Sequence, residues 1–329
     1  MADPRAVFRL GLAPLVLLAC NLFAGAPLPY LGATLAVTLL MPGGPRPPLK
    51  MLAGAVVLVL GISWALARGF GALADSPASV WMALLALATA CFAKLAVAPQ
   101  NVPALLALLV SVVVTALIQA EPSLTGPLPW IMGWAASQAV VATLLAHAIL
   151  PSRGPGFRPP PPRAAPASPG LVALAKAVAM VAALGVCAAA GQASGVLVAI
   201  TLSNMLRLPE DAAAHRFGRW LVFANLAALL LVLPVVAVAI LRPENIAVIP
   251  LILAFGLWIA AGQGRMDWRG MLTLLGLPVF VLVLGQTLPD IDTNALADMA
   301  DRMMYLGISV LYGGAVLILL HRGGTRATA

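Results

Sequence analysis

The stretch ATLAVTLLMPGGPRPPLKMLAGAVVLVLG, Ala33–Gly61, decides the class of this protein. Two apolar runs flank a short polar turn that contains prolines, glycines and the cations Arg46 and Lys50. Similar runs recur along all 329 residues, of which 62% are hydrophobic and 9% charged, whereas a soluble domain is about 25% charged. Because the runs lack the short alternation of a β-barrel, they predict an all-α polytopic membrane protein.

Prolines, glycines and charges at the ends of the apolar runs predict about twelve helices. A straight helix needs roughly 20 residues to cross the hydrocarbon core, and two runs are shorter. We expect these two, residues 29–41 and 194–207, to be re-entrant or to extend into the polar turn that follows. The predicted helices cover residues 7–25, 29–41, 48–68, 78–98, 103–120, 129–150, 171–190, 194–207, 216–241, 245–263, 270–288 and 303–321.

The distribution of cations predicts the orientation of these helices. If the N-terminus is cytoplasmic and the helices alternate in direction, sixteen of the 19 lysines and arginines fall on the cytoplasmic side. Only Arg68, Arg242 and Arg302 fall on the extracellular side. An excess of cations on the cytoplasmic side is what the positive-inside rule requires. Both termini are therefore expected in the cytoplasm. The first run has the basic start of a signal peptide, but it lacks a clear A-x-A site, so we expect an uncleaved helix.

A basic, proline-rich segment, PSRGPGFRPPPPRAAPASPG at residues 151–170, predicts a cytoplasmic linker. It separates a first membrane repeat, residues 1–150, from a second, residues 171–329. Similar residues recur in the same order in both halves, at offsets between 163 and 174. Since each half holds an even number of helices, we expect two parallel six-helix repeats. The matched pairs are Arg9 with Lys176, Cys20 with Cys187, Thr38 with Thr201, Lys50 with Arg216, and His147 with His321.

The sequence argues against several classes of function. It contains no G-x-x-x-x-G-K-[ST] loop and therefore no recognisable ATP site. Its three histidines are scattered and its three cysteines lie inside apolar runs, so we expect neither a metal nor a cofactor. The carboxylates lie in loops or at helix ends, which disfavours an enzyme. The net charge of +8 belongs to short loops and indicates topology rather than a nucleic-acid partner.

Polar side chains inside the apolar runs are the candidate functional residues, because each costs free energy unless it faces protein or water. Short helices at matching places in two halves favour a transporter's central site, although hydroxyls also bond neighbouring helices. Lys94 lies one turn from the cytoplasmic end of its helix, where it either snorkels or attracts an anionic substrate. The predicted substrate pathway comprises Thr34, Thr38, Lys94, Thr201 and Asn204.

Two smaller groups of residues are also predicted to act in transport. Four cations at matching places predict an anion vestibule at the cytoplasmic face, with positive-inside anchoring as the simpler explanation. Two histidines end the last helix of each half, where they either complement the helix dipole or couple transport to protons. The vestibule comprises Arg9, Lys50, Lys176 and Arg216, and the histidines are His147 and His321.

A short helix, a basic polar turn and a long Gly/Ala-rich helix occur twice, in Ala33–Gly61 and in VLVAITLSNMLRLPEDAAAHRFGRWLVFANLAALL, Val196–Leu230. This order resembles the fusaric-acid-resistance and aromatic-acid-exporter superfamily, and most closely a compact bacterial branch. The resemblance implies an inner-membrane efflux component for aromatic or other weak organic acids, often working with a HlyD-type periplasmic adaptor. Because the sequence has no ATP site, we expect the proton gradient to drive export. The chain departs from larger relatives in lacking a substantial cytoplasmic domain, and Lys50 with Gly54 retains only part of their R-x-x-G-T-x-x-G motif.

An acidic segment, PDIDTNALADMADRM at residues 289–303, supports an alternative function. It lies between the last two predicted helices on the extracellular side and has some helical character. It is either a solvated loop or a docking segment. In the second case the protein is a non-transporting membrane scaffold for a periplasmic or envelope partner.

Overall fold

The computed structural model describes residues 3–41, 46–72, 77–98, 101–151, 169–189, 195–206, 212–241, 248–265, 267–289 and 295–326. All regular secondary structure in these ranges is helical, and it forms twelve helices apart from a single 3₁₀ turn at Pro122–Thr125. The helices are α1 Pro4–Phe23, α2 Pro29–Leu40, α3 Leu49–Ala72, α4 Pro77–Val97, α5 Val102–Ala120, α6 Leu128–Ile149, α7 Pro169–Ala189, α8 Gly195–Leu206, α9 Ala212–Leu241, α10 Val248–Ala260, α11 Trp268–Thr287 and α12 Ala295–Arg326.

The predicted all-helical class and the number of helices are confirmed, with differences at some ends. α9 and α12 begin earlier than predicted, at Ala212 and Ala295, so much of the acidic segment is helical. α10 ends at Ala260, before the predicted end at 263, because a turn follows in which Gly264 has φ 74°. Most of the predicted linker, residues 152–168, lies outside the described residues.

Eight of the described helices are long and apolar enough to cross a membrane, which makes this a multi-pass membrane protein. They are α1, α3, α4, α5, α6, α7, α9 and α11. The predicted shortness of α2 and α8 is confirmed, since each has 12 residues. At a rise of 1.5 Å per residue such a helix is about 18 Å long, well short of a hydrocarbon core of about 30 Å.

The helices form two compact units, and each unit contains helices from both sides of the predicted linker. Unit 1 comprises Met1–Val56, Ile131–Arg158 and Trp220–Met304. Unit 2 comprises Val57–Trp130, Pro159–Arg219 and Tyr305–Ala329. The compact units therefore do not follow the division of the sequence at the linker.

Unit 1 is built around α1 and α2. α1 packs along α2 and α10, and α2 also packs along α11. Glycines allow the helices to approach closely: a Cβ on Gly11 would lie 3.0 Å from the Cα of Leu257 on α10. A Cβ on Gly285 of α11 would overlap the Cβ of Tyr30, at the start of α2. The short helix α2 therefore packs between α1 and α11, and its start lies at backbone distance from α11.

Unit 2 is built around α7 and α8. α7 packs along α4 and α8, while α5 packs along α8 and α4. α12 reaches α7 through Tyr312, whose hydroxyl donates to the Ala179 carbonyl at 2.9 Å. It reaches α8 at Gly313, where a Cβ would lie 2.9 Å from the Met205 sulfur. The short helix α8 is therefore walled by at least three helices of its own unit.

Candidate functional site at the short helices α2 and α8

Both short helices are enclosed by protein except at one polar position. In α2 every residue is buried except Thr38, and in α8 every residue is buried except Asn204. Each of these two residues is the tenth of a twelve-residue helix and lies in its last turn. The burial pattern thus matches Thr38 with Asn204, whereas the sequence pattern matched Thr38 with Thr201.

The hydroxyls on α2 are satisfied within the helix itself. Thr34 donates to the Tyr30 carbonyl at 2.9 Å, and Thr38 donates to the Thr34 carbonyl at 3.1 Å. A hydroxyl that donates to its own backbone keeps lone pairs that accept a second hydrogen bond. Thr38 is partly exposed, so this residue is the one position of α2 at which such an acceptor can meet a group from outside the helix.

Thr201 on α8 differs from the other helical hydroxyls. It is 2% exposed, and its Oγ1 has no hydrogen-bond partner. Buried hydroxyls elsewhere donate to a carbonyl of their own helix, as Thr143 does to Ala139 at 2.7 Å and Ser203 to Ala199 at 2.7 Å. An unsatisfied buried hydroxyl costs about 1–3 kcal/mol, so Thr201 is a destabilised position in the centre of unit 2.

Replacing Thr201 with valine is therefore expected to raise the thermal stability of the purified protein. The change removes the unsatisfied hydroxyl at nearly constant volume, and we expect a gain of about 1 kcal/mol, the lower end of that cost. The matched change Thr143→Val removes a satisfied hydroxyl and should lower stability by about 0.5–1.5 kcal/mol. Thermal unfolding in detergent measures both, and equal losses in the two variants would show that Thr201 has a partner in the folded protein.

Gln263, in the loop after α10, holds the C-terminal end of α2. Its Nε2 donates to the Met41 carbonyl at 3.1 Å and to the Leu40 carbonyl at 3.4 Å. The last carbonyls of a helix have no partner within the helix, so this amide satisfies groups that are otherwise unpaired. Its Oε1 is buried without a partner. The end of α2 next to Thr38 is therefore fixed by a residue that the sequence analysis did not identify.

The same loop is organised by Asp267, which caps α11. Its Oδ1 accepts hydrogen bonds from the Arg269 and Gly270 N–H groups, and its Oδ2 pairs with Arg265 at 2.9 Å. Partial desolvation raises the pKa of Asp267, but these hydrogen bonds and the Arg265 charge outweigh it and hold the pKa below its ordinary value. The carboxylate therefore stabilises the fold above its ordinary pKa, and this contribution is lost as pH falls through the lowered value.

Arg9, a predicted vestibule residue, is 2% exposed and joins α1 to the end of α6. Its Nη1 donates to the Leu150 carbonyl at 2.5 Å, and Arg5 donates to the Pro151 carbonyl at 3.3 Å. Two cations at a helix C-terminus satisfy its carbonyls and complement its dipole. Arg9 Nη2 and one Asp3 oxygen are buried without partners, and Asp3 acts electrostatically on Arg9. In the described structure Arg9 thus connects two helices.

The other predicted charged residues lie in different surroundings. His147 is buried on α6, with Nδ1 2.9 Å from the Thr143 carbonyl, and Lys176 is buried on α7. Lys50 and Lys94 are exposed. Arg216 and His321 lie within α9 and α12, but their side chains are outside the described part of the structure. Their roles in transport and coupling stay predictions.

A pair of side-chain amides ties three helices of unit 1 together. Asn21 Nδ2 donates to Gln138 Oε1 at 3.1 Å, and Gln138 Nε2 donates back to Asn21 Oδ1 at 2.9 Å. Asn21 also donates to the Pro29 carbonyl at 3.2 Å, at the start of α2. A Cβ on Gly32 would lie 2.9 Å from Gln138 Oε1. The start of α2 is therefore fixed by polar contacts, as its end is by Gln263.

Unit 2 contains a cavity of about 10 Å³ between α4, α5, α7 and α8. Trp81, Thr115, Gln119, Cys187 and Gly195 are among the residues that line it. This volume suits one water molecule and no organic acid. All of these residues lie at one end of their helices, as expected for neighbouring helices that run in alternating directions.

Comparison with known proteins identifies no relative: no family model, curated protein or solved structure matches the chain. Within the described residues no three His, Cys, Asp or Glu side chains form a group that would hold a metal ion. The acidic segment on which the scaffold alternative rests lies partly outside the described residues, at 290–294.

Proposed function

We propose that this chain is an inner-membrane efflux permease, or a permease subunit, that exports aromatic or other weak organic acids and uses the proton gradient. The observation that carries the proposal is the pair of short helices, each enclosed by its own unit and open at one polar position, Thr38 or Asn204. A helix too short to cross the bilayer is tolerated when it is buried in protein, and short helices at matching places in two halves point to a transporter's substrate site.

The packing within each unit supports an internal repeat of six helices. In unit 1, α1 packs on α2 and α10, and α2 packs on α11. In unit 2, α7 packs on α8 and α4, and α8 packs on α5. If six is added to each helix number, and the count returns to α1 after α12, every packed pair named for unit 1 becomes a packed pair of unit 2. Each unit would then combine the first, second and sixth helices of one repeat with the third, fourth and fifth of the other.

The sixth helices support the same repeat through polar contacts. α6 is bonded to α1 by Gln138 and Asn21, and α12 is bonded to α7 by Tyr312 and Ala179. Different side chains thus join the equivalent helices in the two units. The short helices would then be equivalent elements, which is the arrangement that marks a central site in transporters with internal repeats.

The segments that follow the short helices in the sequence favour an anionic substrate. The polar turn after α2 leads to the exposed Lys50, and α9, which follows α8, contains Arg216. Cations in these segments would raise the local concentration of anions, and Thr38 or Asn204 can hydrogen-bond a carboxylic acid or carboxylate. His147 and His321 are the candidates for proton coupling.

An accumulation assay tests the proposed export. The full-length chain is produced in a bacterial strain that lacks its main efflux systems, and uptake of a radiolabelled panel of aromatic acids is followed. We expect severalfold lower accumulation than in cells with an empty vector, and loss of this difference when a protonophore is added. Unchanged accumulation and tolerance across the whole panel would refute the proposal.

The variant Thr38→Val is expected to reduce the initial rate of export about fivefold, the equivalent of one hydrogen bond of about 1 kcal/mol. Thr89→Val on α4 is the matched control, because Thr89 is also partly buried and donates to the carbonyl four residues earlier, that of Leu85. Protein levels are compared by immunoblot. If both variants export at the same rate, the open position of α2 does not contact the substrate.

A further inference from the structure

Four aromatic rings form a continuous row on the surface of unit 1. Trp220 and Phe223 of α9 have ring centroids 6.2 Å apart, and Phe223 and Trp268 of α11 have centroids 6.1 Å apart. Trp258 of α10 lies 6.4 Å from Trp268. Trp220, Phe223 and Trp258 are 38%, 49% and 47% exposed. Three helices thus present one apolar surface, which we term the aromatic row.

The aromatic row lies where uncharged sequence begins. In the sequence the uncharged part of α9 begins at Trp220, directly after Arg219, and the apolar span of α11 starts at Trp268. Tryptophan rings concentrate at the boundary between the hydrocarbon and the headgroups, because one side of the ring is apolar and its N–H needs a polar partner. This position places the row beside lipid headgroups, but by itself it selects no particular lipid.

Arg269 adds a charge to the aromatic row. The centre of its guanidinium lies 5.3 Å from the centroid of the Trp268 ring, and its side chain is exposed. Arg265 is paired with Asp267, and the other oxygen of Asp267 accepts the Arg269 and Gly270 N–H groups. No carboxylate in the described ranges pairs with the Arg269 guanidinium. A weakly hydrated planar cation therefore has no carboxylate partner among the described residues.

We propose that the aromatic row and Arg269 form a binding site for an anionic phospholipid. The phosphodiester accepts hydrogen bonds from the Arg269 guanidinium, and the upper part of the acyl chains lies along the rings of Trp258, Trp268 and Phe223. A guanidinium recognises phosphate well, and the exposed rings supply an apolar contact that a soluble phosphate would not use. The site is independent of the proposed export, because it needs no transported substrate.

Native mass spectrometry of the purified full-length protein tests this site. The protein is titrated in detergent with phosphatidylglycerol or with phosphatidylcholine of the same acyl chains. We expect tighter binding of phosphatidylglycerol, and about fivefold weaker binding of it by Arg269→Gln, the effect of one basic residue at a membrane surface. Binding of phosphatidylcholine should fall less, because its choline cation already balances the charge of its phosphodiester. Arg269→Lys, which keeps the charge, should restore part of the loss.

Arg68→Gln is the matched control, because Arg68 is exposed and lies 5.7 Å from the ring of Trp64 on α3. No described ring other than Trp64 contacts Arg68, so this change should leave phosphatidylglycerol binding unaltered. The proposal is overturned if the wild-type protein binds the two lipids equally or if the two variants lose the same affinity. Displacement of the lipid by glycerol phosphate at comparable concentration would also overturn it in favour of a soluble phosphate site.

A second variant covers the case in which Arg269→Gln fails to fold. The Arg269 N–H bond to Asp267 belongs to the backbone, so the loop should survive the change. Trp258→Leu removes one exposed ring without touching the loop or the charge, and it should weaken phosphatidylglycerol binding in a protein of normal melting temperature. If Trp258→Leu binds phosphatidylglycerol as tightly as the wild-type protein does, the aromatic row does not contribute to lipid binding and the proposed site is wrong.

Discussion

Replacement of Gly285 by valine is expected to prevent most of the protein from reaching its folded state. A Cβ at this position would overlap the Tyr30 Cβ, and it would lie 3.1 Å from the Tyr30 Cα and 3.0 Å from Leu18 Cδ1. These atoms belong to the buried helices α1 and α2, so α11 can accommodate a side chain only by moving away. Overpacking of a tight interior costs about 1–3 kcal/mol, and valine adds two methyl groups beyond the Cβ.

The yield of monodisperse protein, measured by size-exclusion chromatography after detergent extraction, tests this expectation. Gly61→Val on α3 is the matched control, because a Cβ on Gly61 meets no atom within 4 Å. Both changes replace a helical glycine by a β-branched residue, so any effect of helix propensity is shared. Equal yields and melting temperatures for the two variants would contradict the close contact between α2 and α11.

The second large effect is expected at the amide pair in unit 1. Gln138→Leu removes both hydrogen bonds between the Asn21 and Gln138 amides. Asn21→Leu removes the same two bonds and also the bond that Asn21 donates to the Pro29 carbonyl. Each single change should reduce the free energy of unfolding by about 1–3 kcal/mol, because an unsatisfied buried group keeps its full desolvation cost.

The double variant Asn21→Leu, Gln138→Leu separates the pairing from simple loss of polar groups. Replacing both amides by apolar groups leaves neither partner unsatisfied, so we expect the double variant to be more stable than the sum of the single losses implies. Thermal unfolding of the four proteins gives the coupling free energy. Strict additivity would mean that Asn21 and Gln138 do not bond each other in the folded protein.

The sequence predicted the helices well because prolines, glycines and charges interrupt the apolar runs. Pro29, Pro77 and Pro169 each begin a described helix, where a proline loses no hydrogen bond. The predicted ends of α9 and α12 were less accurate, because both helices extend into polar sequence beyond the apolar runs. Helix ends in polar sequence depend on local capping and carry no hydrophobic signal.

The packing partners of the helices could not be predicted from the sequence. In a membrane, apolar residues face lipid and protein alike, so the composition of α1 does not indicate that α10 and α2 are its neighbours. Small residues mark the close contacts only after the partner is known. A Cβ on Gly11 or Gly285 would come too close to a neighbouring helix. Gly61 also lies in an apolar run, but a Cβ there would meet no atom within 4 Å.

The candidate site was predictable in part. Thr38 and Asn204 were predicted as site residues because a polar side chain inside an apolar helix costs free energy. They are the residues of α2 and α8 that are not buried. Gln263 was missed because it lies in a polar loop, where a glutamine carries no signal, and its contact with the end of α2 spans more than 220 residues. The unsatisfied hydroxyl of Thr201 depends on a side-chain rotamer, which no sequence pattern specifies.

Because each unit contains helices from both halves of the sequence, neither unit can be completed before the second half has been synthesised. α1 packs on α10, and α4 packs on α7, so helices made early have partners that the ribosome has not yet produced. When the first six helices enter the bilayer, the faces that α1, α2, α4 and α5 later bury against the second half are covered only by lipid or by chaperones. A nascent chain arrested at the linker would therefore display incomplete interfaces and become a substrate for membrane quality-control proteases.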